Sequence, residues 1–238
     1  MKDLVMKDLV VSGTLPVGVP VDATPAPMPG AVTLKGRYGA VERLDATRHS
    51  PSLWTAMRGH DRIWTYIPPC TSFDEAAFRG YIADCEKNKE RIFYAVTDTS
   101  GNALGILSLM EIRPAMRVIE VGNIVYSPAL QQPPLGTEAQ YLIARYAIET
   151  LGYRRYEWKC DSMNAASKRA AERYGFTYEG TFRQHMIVKG RNRDTAWFSI
   201  LDHEWPARRL AFERWLAPEN FDRDGKQKTR LAAPLGQA

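Results

Sequence analysis

The chain of 238 residues has few cysteines, no long apolar run and no spaced cluster of metal ligands. Its three cysteines, Cys70, Cys85 and Cys160, form no C-x-x-C pair, and an odd number at wide spacing argues against a disulfide framework. No apolar segment approaches the ~20 residues that cross a bilayer, so the sequence predicts no membrane-spanning helix. These absences favour a cytoplasmic protein in a reducing compartment, without a metal site.

Two kinds of signature motif are also missing. The chain has no G-x-S-x-G sequence, which argues against a serine-hydrolase site. It has no nucleic-acid-binding motif and no run of about five basic residues. A net charge of +5 is modest, so it does not favour a nucleic-acid partner, although it suits an anionic ligand such as a polyphosphate.

The two ends differ in composition from the middle of the chain. The first residues repeat a five-residue unit and lack the continuous apolar core of a signal peptide. Residues 13–30 carry five prolines, so they should run extended over the surface or order partly against the body. We predict an N-terminal extension over residues 1–30, one domain over 31–217, and a charged, loosely docked tail over 218–238.

The domain predicts strands and helices in the mixed order β-α-α-β-β-β-α-β-α-β-β-α, an antiparallel meander that feeds a βαβ unit. At its centre a strand (118–126) enters a turn rich in proline (127–136), which runs directly into a helix (137–149). This arrangement aims several free backbone N–H groups at one point, as in sites that hold phosphates. The sequence therefore predicts a ligand that carries phosphate.

These motifs together resemble the GNAT superfamily of acyl-CoA-dependent N-acyltransferases, and most closely its ribosomal-protein N-acetyltransferase-like branch. The family pattern is strand, Val/Ile-x-Pro, Gln/Arg-x-x-Gly-x-Gly/Ala, then helix, and here Tyr126-Ser-Pro128 is followed by Gln131-Gln-Pro-Pro-Leu-Gly136. Asn164-Ala-Ala-Ser167 and Gly175-Phe176 match further along. Over residues 32–215 the resemblance implies an α/β (α+β) fold. Its mixed, mostly antiparallel sheet of about seven strands would be flanked by helices and splayed at the central strands.

The resemblance implies acetyl-CoA as co-substrate. The positions it implies as cofactor-binding are Ile124, Val125, Gln131, Gln132, Leu135, Gly136, Thr137, Asn164 and Ser167. One departure is Pro134, which replaces the first glycine of the phosphate loop and follows Pro133. Because proline has no N–H to donate, fewer amides remain for the pyrophosphate, unless the prolines instead pre-set the loop and lower its ordering cost.

Two side chains are implied to carry the chemistry. Glu120 resembles the general-base glutamate of some members, acting directly or through a water; the alternative is a strand carboxylate that pairs with arginine or faces solvent. Ser167 matches the hydroxyl beside the CoA sulfur and is the predicted general acid, with an ordinary first-turn serine as the alternative. The tyrosine that many members use is replaced by Ala171, and Tyr174 is not expected to take its place.

The acceptor side is less specific. Trp64, Tyr66, Arg183 and His185 come from elements that flank the acceptor groove in the family, although such aromatics are more often core residues. The resemblance implies transfer to a primary amine, either a protein N-terminus or a small molecule. The alternative is a non-catalytic acyl-CoA-binding or regulatory module. The apolar terminal helix (202–216) would pack on the body or form a homodimer.

Overall fold

The computed structural model describes residues 11–12, 15–68, 73–131 and 134–231. Val11–Ser12 and Leu15–Pro16 form a small separate pair of strands. The main sheet has eight strands: β1 (Thr33–Lys35), β2 (Gly39–Arg43), β3 (Ile92–Asp98), β4 (Ala103–Arg113), β5 (Val118–Tyr126), β6 (Arg155–Asp161), β7 (Thr177–Val188) and β8 (Arg191–Leu201). They lie in the order β1-β2-β3-β4-β5-β6-β8-β7, and β5 with β6 is the parallel pair. The predicted fold class is confirmed, with eight strands rather than seven.

Six α-helices flank the sheet: α1 (Ala46–Met57), α2 (Glu75–Lys87), α3 (Pro128–Gln131), α4 (Pro134–Arg145), α5 (Ala165–Arg173) and α6 (Trp205–Leu216). Single 3-10 turns occupy Asp61–Trp64, Pro114–Met116, Asp202–Glu204 and Pro218–Asn220, and Tyr146–Thr150 extends α4 as a π-turn. None of the helices in these ranges is long and apolar enough to cross a membrane.

The eighth strand lies at the start of the domain, where the predicted order of elements has one strand and the structure has two. Residues 33–43 fold back as the hairpin β1–β2. The buried carboxylate of Glu138, on α4, accepts the backbone N–H groups of Arg37 at 2.6 Å and Tyr38 at 2.8 Å. Two such bonds to one charged acceptor hold the turn in place. The partner lies about one hundred residues further on, so local pattern does not reveal this turn.

The core consists of two apolar clusters on opposite faces of the sheet. The larger cluster packs α4 and α6 against the sheet and includes Tyr156, Phe198 and Phe212. The smaller cluster packs α1 and α2 over β3, β4 and the end of β5, and includes Leu53 and Phe78. Beyond this cluster, polar and charged side chains of β5, β6 and β8 line a cleft.

Both ends of the domain dock on its body. In the N-terminal extension, Gly30 donates its N–H to the Tyr146 hydroxyl and accepts from the Tyr94 hydroxyl, each at 3.0 Å. In the C-terminal tail, Leu231 is buried in the larger cluster and Asn220 donates to the Trp215 carbonyl at 2.8 Å. The residues of the tail up to 231 are therefore more firmly held than their composition suggests.

The sheet opens at its centre. The parallel pairing of β5 with β6 runs from Val118 opposite Arg155 to Val121 opposite Trp158 and stops there. Beyond Val121, β5 pairs with β4 alone, through an irregular register at Asn123, whose φ is +48°. A bulge of this kind turns a strand away from its neighbour. The predicted splay at the central strands is thus present, and the helices α3, α4 and α5 begin around it.

Candidate active site

A cleft of about 590 Å³ lies where β5 and β6 separate. Its walls come from these two strands, from the start of α5, from β8 and from the segment of residues 63–68. It brings together many of the side chains singled out in the sequence: Glu120, Ile124, Gln131, Asn164, Ser167, Tyr66 and His185. The cleft is therefore the place where a ligand and a reacting group could meet.

The splayed part of β5 offers backbone donors to the cleft. Ser127 donates its N–H to the Leu104 carbonyl of β4 at 3.1 Å, whereas the Tyr126 carbonyl accepts from the Gln131 side chain on the open side at 3.1 Å. Because N–H groups alternate in an antiparallel ladder, Tyr126 and Ile124 point their amides away from β4, into the gap. Val125 faces β4, and its side chain is buried in the smaller cluster, so its predicted cofactor contact does not fit the structure.

The helix after the splay begins earlier than the sequence suggests. Pro134, predicted to lie in a loop with the helix starting at 137, is the first residue of α4. A helix leaves its first N–H groups without internal partners, so proline at that position removes no helical hydrogen bond. Pro134, which departs from the family pattern, therefore begins the helix, and the amides of Leu135 and Gly136 lie in its first turn.

The side chains of this turn serve packing. Leu135 is buried in the larger cluster, and Gly136 lies so close to α3 that a Cβ on it would be 2.6 Å from the Leu130 carbonyl oxygen. The Thr137 hydroxyl accepts from Arg173 Nη1 at 3.0 Å. None of these three residues lines the cleft, so any contact with a ligand would come from their backbone amides. The predicted contact of Gln132 lies outside the described residues.

The start of α5 positions a hydroxyl in the cleft. Asn164 caps the helix, its Oδ1 accepting the Ser167 N–H at 3.0 Å. The Ser167 Oγ accepts the Trp158 indole N–H at 3.0 Å. An indole N–H can only donate, so this bond leaves the Ser167 proton available to another acceptor. The first turn of α5 therefore presents a hydroxyl group whose oxygen is held by the Trp158 indole.

The nearby tyrosine belongs to a different part of the cleft. Burial raises the pKa of Tyr174, while hydrogen bonds with Thr137 and Arg173 oppose that rise. The ring of Tyr174 packs against those of Trp158 and Phe212. Ala171, at the position of the family tyrosine, is fully buried. The cationic Arg173 guanidinium, 3.0 Å from the Thr137 hydroxyl, makes the start of α4 suited to an anion.

Glu120 combines burial with an ion pair. Its side chain lies on β5 and is only 6% exposed, and its Oε2 lies 2.8 Å from Lys159 Nζ. Burial raises the pKa of Glu120 to about 6, with Lys159 holding it lower than burial alone would. The carboxylate is thus ionised at neutral pH yet able to take a proton. The partner is a lysine of the next strand, which sequence reasoning missed because it follows from the β5–β6 register.

The predicted acceptor residues separate into two groups. Tyr66 and His185 line the cleft; the Tyr66 hydroxyl donates to the Met163 carbonyl at 3.2 Å, and His185 Nδ1 lies 2.9 Å from Thr195 Oγ1. Trp64 is 3% exposed and packs in the smaller cluster, so its predicted substrate contact gives way to the core alternative. Arg183 lies on the exposed β7–β8 hairpin beside the cleft rather than in it.

Comparisons with known proteins agree on one family. The model of the acetyltransferase (GNAT) domain matches residues 42–177, more than half of the chain. A crystal structure of a GCN5-related N-acetyltransferase from Brucella melitensis is 46% identical, with a TM-score of 0.85 over 88% of this chain and 96% of that one. A probable acetyltransferase of the GNAT family from Chromobacterium violaceum is 42% identical, with a TM-score of 0.71 over 79% and 100%.

A curated relative gives a narrower match. The "Putative ribosomal N-acetyltransferase YdaF" of Bacillus subtilis is 29% identical over 105 residues, which span 44% of this chain and 57% of that protein. The sequence match, the eight-stranded fold and the splayed central strands agree with the resemblance found in the motifs. The chain belongs to the GNAT acetyltransferase family.

Proposed function

We propose that this protein is an N-acetyltransferase that moves the acetyl group of acetyl-CoA to a primary amine. The observation that carries the proposal is the shared cleft, in which the buried Glu120 carboxylate, the free amides of β5 and the Ser167 hydroxyl lie together. These are a proton acceptor, donors for a carbonyl oxygen and a proton donor, which are the groups that acyl transfer to an amine needs.

Several groups of the chain fit a CoA molecule. The amides of Leu135 and Gly136 at the start of α4, with the nearby Arg173 guanidinium, would hold the pyrophosphate. The side chain of Asn164 and the open edge of β5 would receive the pantetheine arm, whose amides need donors and acceptors. When bound, acetyl-CoA supplies the activated thioester.

The residues of the cleft then divide the reaction between them. The acceptor nitrogen forms a bond with the thioester carbonyl carbon, and the C–S bond breaks. Glu120 takes the proton that the nitrogen loses, while the amides of Ile124 and Tyr126 hydrogen-bond the carbonyl oxygen as its charge grows. Ser167 donates its proton to the departing thiolate and regains one from solvent. Atoms and protons balance without a metal ion.

Calorimetric titration of acetyl-CoA into the purified full chain tests the proposal first. We expect binding in the micromolar range, about −8 kcal/mol, followed by acetylation of one member of an amine panel. Binding without turnover of any amine would favour the alternative, a non-catalytic acyl-CoA-binding or regulatory module. No heat and no thermal stabilisation with any acyl-CoA would exclude both readings.

Ser167→Ala should lower kcat on the order of tenfold while leaving acetyl-CoA affinity nearly unchanged. The effect is smaller than that of a base because a thiolate is a good leaving group. Ser52→Ala, a half-buried serine of α1 outside the cleft, is the matched control and should leave kcat unchanged. If Ser167→Ala lowers only the thermal stability, through the lost bond from Trp158, then Ser167 is an ordinary first-turn serine.

The acceptor remains part of the proposal. The name of the Bacillus subtilis relative favours peptides with ribosomal-protein N-termini as the first acceptors to test, beside amino acids, polyamines and aminoglycosides. We propose a cytoplasmic protein without membrane or nucleic-acid partners. The apolar side of α6 packs on the body, which supports the first of the two arrangements predicted for the terminal helix, and sedimentation would test for a homodimer.

A further inference from the structure

Lys159 is the charged residue at the centre of the cleft for which the proposed reaction names no role. Its side chain is 10% exposed, and its Nζ lies 2.8 Å from Glu120 Oε2 and 3.0 Å from Glu157 Oε2. The same ammonium lies 4.0 Å from the centre of the Trp197 ring. Its contacts therefore come from three neighbouring strands, β5, β6 and β8, which fix its position.

These contacts surround the end of the Lys159 side chain. Two carboxylate oxygens and the face of an indole ring all lie within contact distance of its Nζ. Its influence on the reaction is through charge and geometry.

The geometry also leaves one oxygen of the base accessible. Lys159 donates a hydrogen bond to Oε2 of Glu120, while Oε1 has no hydrogen-bond partner among the residues that the structure describes. Oε1 faces Gly122, where a built Cβ would come within 3.4 Å of it, and both residues line the cleft. A side chain at position 122 would narrow the approach to this oxygen. One oxygen is thus held and the other is open to an incoming amine.

We propose that Lys159 is a positioning residue of the acyl-transfer site, which orients Glu120 and keeps its carboxylate ready to accept a proton from the acceptor amine. The inference rests on the proposed function for the identity of the proton donor. The contact between the two side chains, however, can be tested without turnover.

The surrounding charges set the direction of the expected effect. Burial and the like charges of Glu157, on β6, and Glu111, on β4, all raise the pKa of Glu120, and Lys159 opposes them. Arg91, Arg193, His185 and Asp161 also line the cleft, but none bonds to Glu120. Removing the ammonium takes away the main influence that lowers the pKa of Glu120. The base would then be lost near neutral pH and regained at higher pH.

The experiment follows Glu120 itself in Lys159→Met and Lys159→Arg. Carbon-13 NMR of glutamate-labelled full-length protein records the side-chain carboxyls, and Glu120→Gln identifies the signal. We expect a midpoint of about 6 in the native protein. It should rise by about one unit or more in Lys159→Met, a tenfold loss of ionised base per unit, and by less than about half a unit in Lys159→Arg. The acidic limb of kcat/KM should move by the same amount.

Controls separate positioning from simple loss of structure. Lys35→Met, on the exposed strand β1, should leave both the midpoint and kcat/KM unchanged. If Lys159→Met does not fold, Glu157→Gln is the second variant; it removes a like charge and frees Lys159 for Glu120, so the midpoint should fall.

Any of three results would overturn the inference. The first is an unshifted Glu120 midpoint in Lys159→Met, and the second is a kcat of that variant that falls equally at every pH. The third is peptide mapping that finds Lys159 acetylated after incubation with acetyl-CoA, which would make it an acceptor. A shifted midpoint in a protein that acetylates no amine would instead refute the proposed function and leave the coupling of Lys159 to Glu120 standing.

Discussion

Replacing Glu120 with glutamine is expected to lower kcat by a factor of about 10² to 10⁴, the usual contribution of a positioned general base. Glutamine keeps the shape and the burial of the side chain but cannot take a proton from the attacking amine. Binding of acetyl-CoA should stay within about twofold of the native value, because the reacting carboxylate is distinct from the groups proposed to hold the cofactor.

Steady-state kinetics with calorimetry on the same preparation checks this result. The matched control is Glu75→Gln, an exposed glutamate of α2 that pairs with Arg79 on the surface. It makes the same chemical change away from the cleft, so its kcat should equal that of the native protein. If Glu120→Gln retains full activity across the pH range, Glu120 is a structural carboxylate and the base must be sought elsewhere.

Gly136→Ala is expected to weaken acetyl-CoA binding by about tenfold or more, which corresponds to about 1.4 kcal/mol. The new Cβ would lie 2.6 Å from the Leu130 carbonyl oxygen, closer than such atoms approach. A backbone oxygen cannot rotate away as a side chain can. The first turn of α4 would therefore move relative to α3, and its N–H groups would no longer point toward the pyrophosphate.

Calorimetry of acetyl-CoA binding measures the effect, and thermal unfolding shows how much of it is a change in stability. Gly80→Ala on α2 is the control, because no atom lies within 4 Å of the Cβ it would add. An added methyl group there should stabilise the exposed helix by about 0.5 to 1 kcal/mol. Native affinity in Gly136→Ala would show that the start of α4 takes no part in holding the cofactor.

Local rules account for the parts of the site that the sequence anticipated. Asn164 is a helix N-cap because its side chain bonds an N–H three residues ahead, a contact set by neighbours in the chain. The splay and the following helix starts are signalled by the glycine and proline pattern of residues 122–136. The helix boundary at Pro134 was misplaced because proline suits both a loop and a first helical turn.

The remaining features depend on residues that are distant in sequence. The hairpin β1–β2 depends on the Glu138 carboxylate. Trp64 proved to be a core residue because Phe78 and Tyr81 of α2, with Phe73 just before that helix, surround its ring. Whether an aromatic residue packs or contacts a ligand is decided by the elements that surround it. Periodicity along one segment does not contain that information.

The sequence by itself determined the mixed α/β fold, through its hydrophobic pattern and turn residues, and its motifs carried the resemblance to the family. The same motifs mark the loop that we propose holds the cofactor. The tertiary structure alone decided which amides of β5 face the gap and which cation meets Glu120. The parallel register places Glu120 opposite Glu157, and Lys159 follows two residues later on the same face. The shift of a pKa is set by burial and neighbouring charge, so the shift of Glu120 arises only once distant strands are paired.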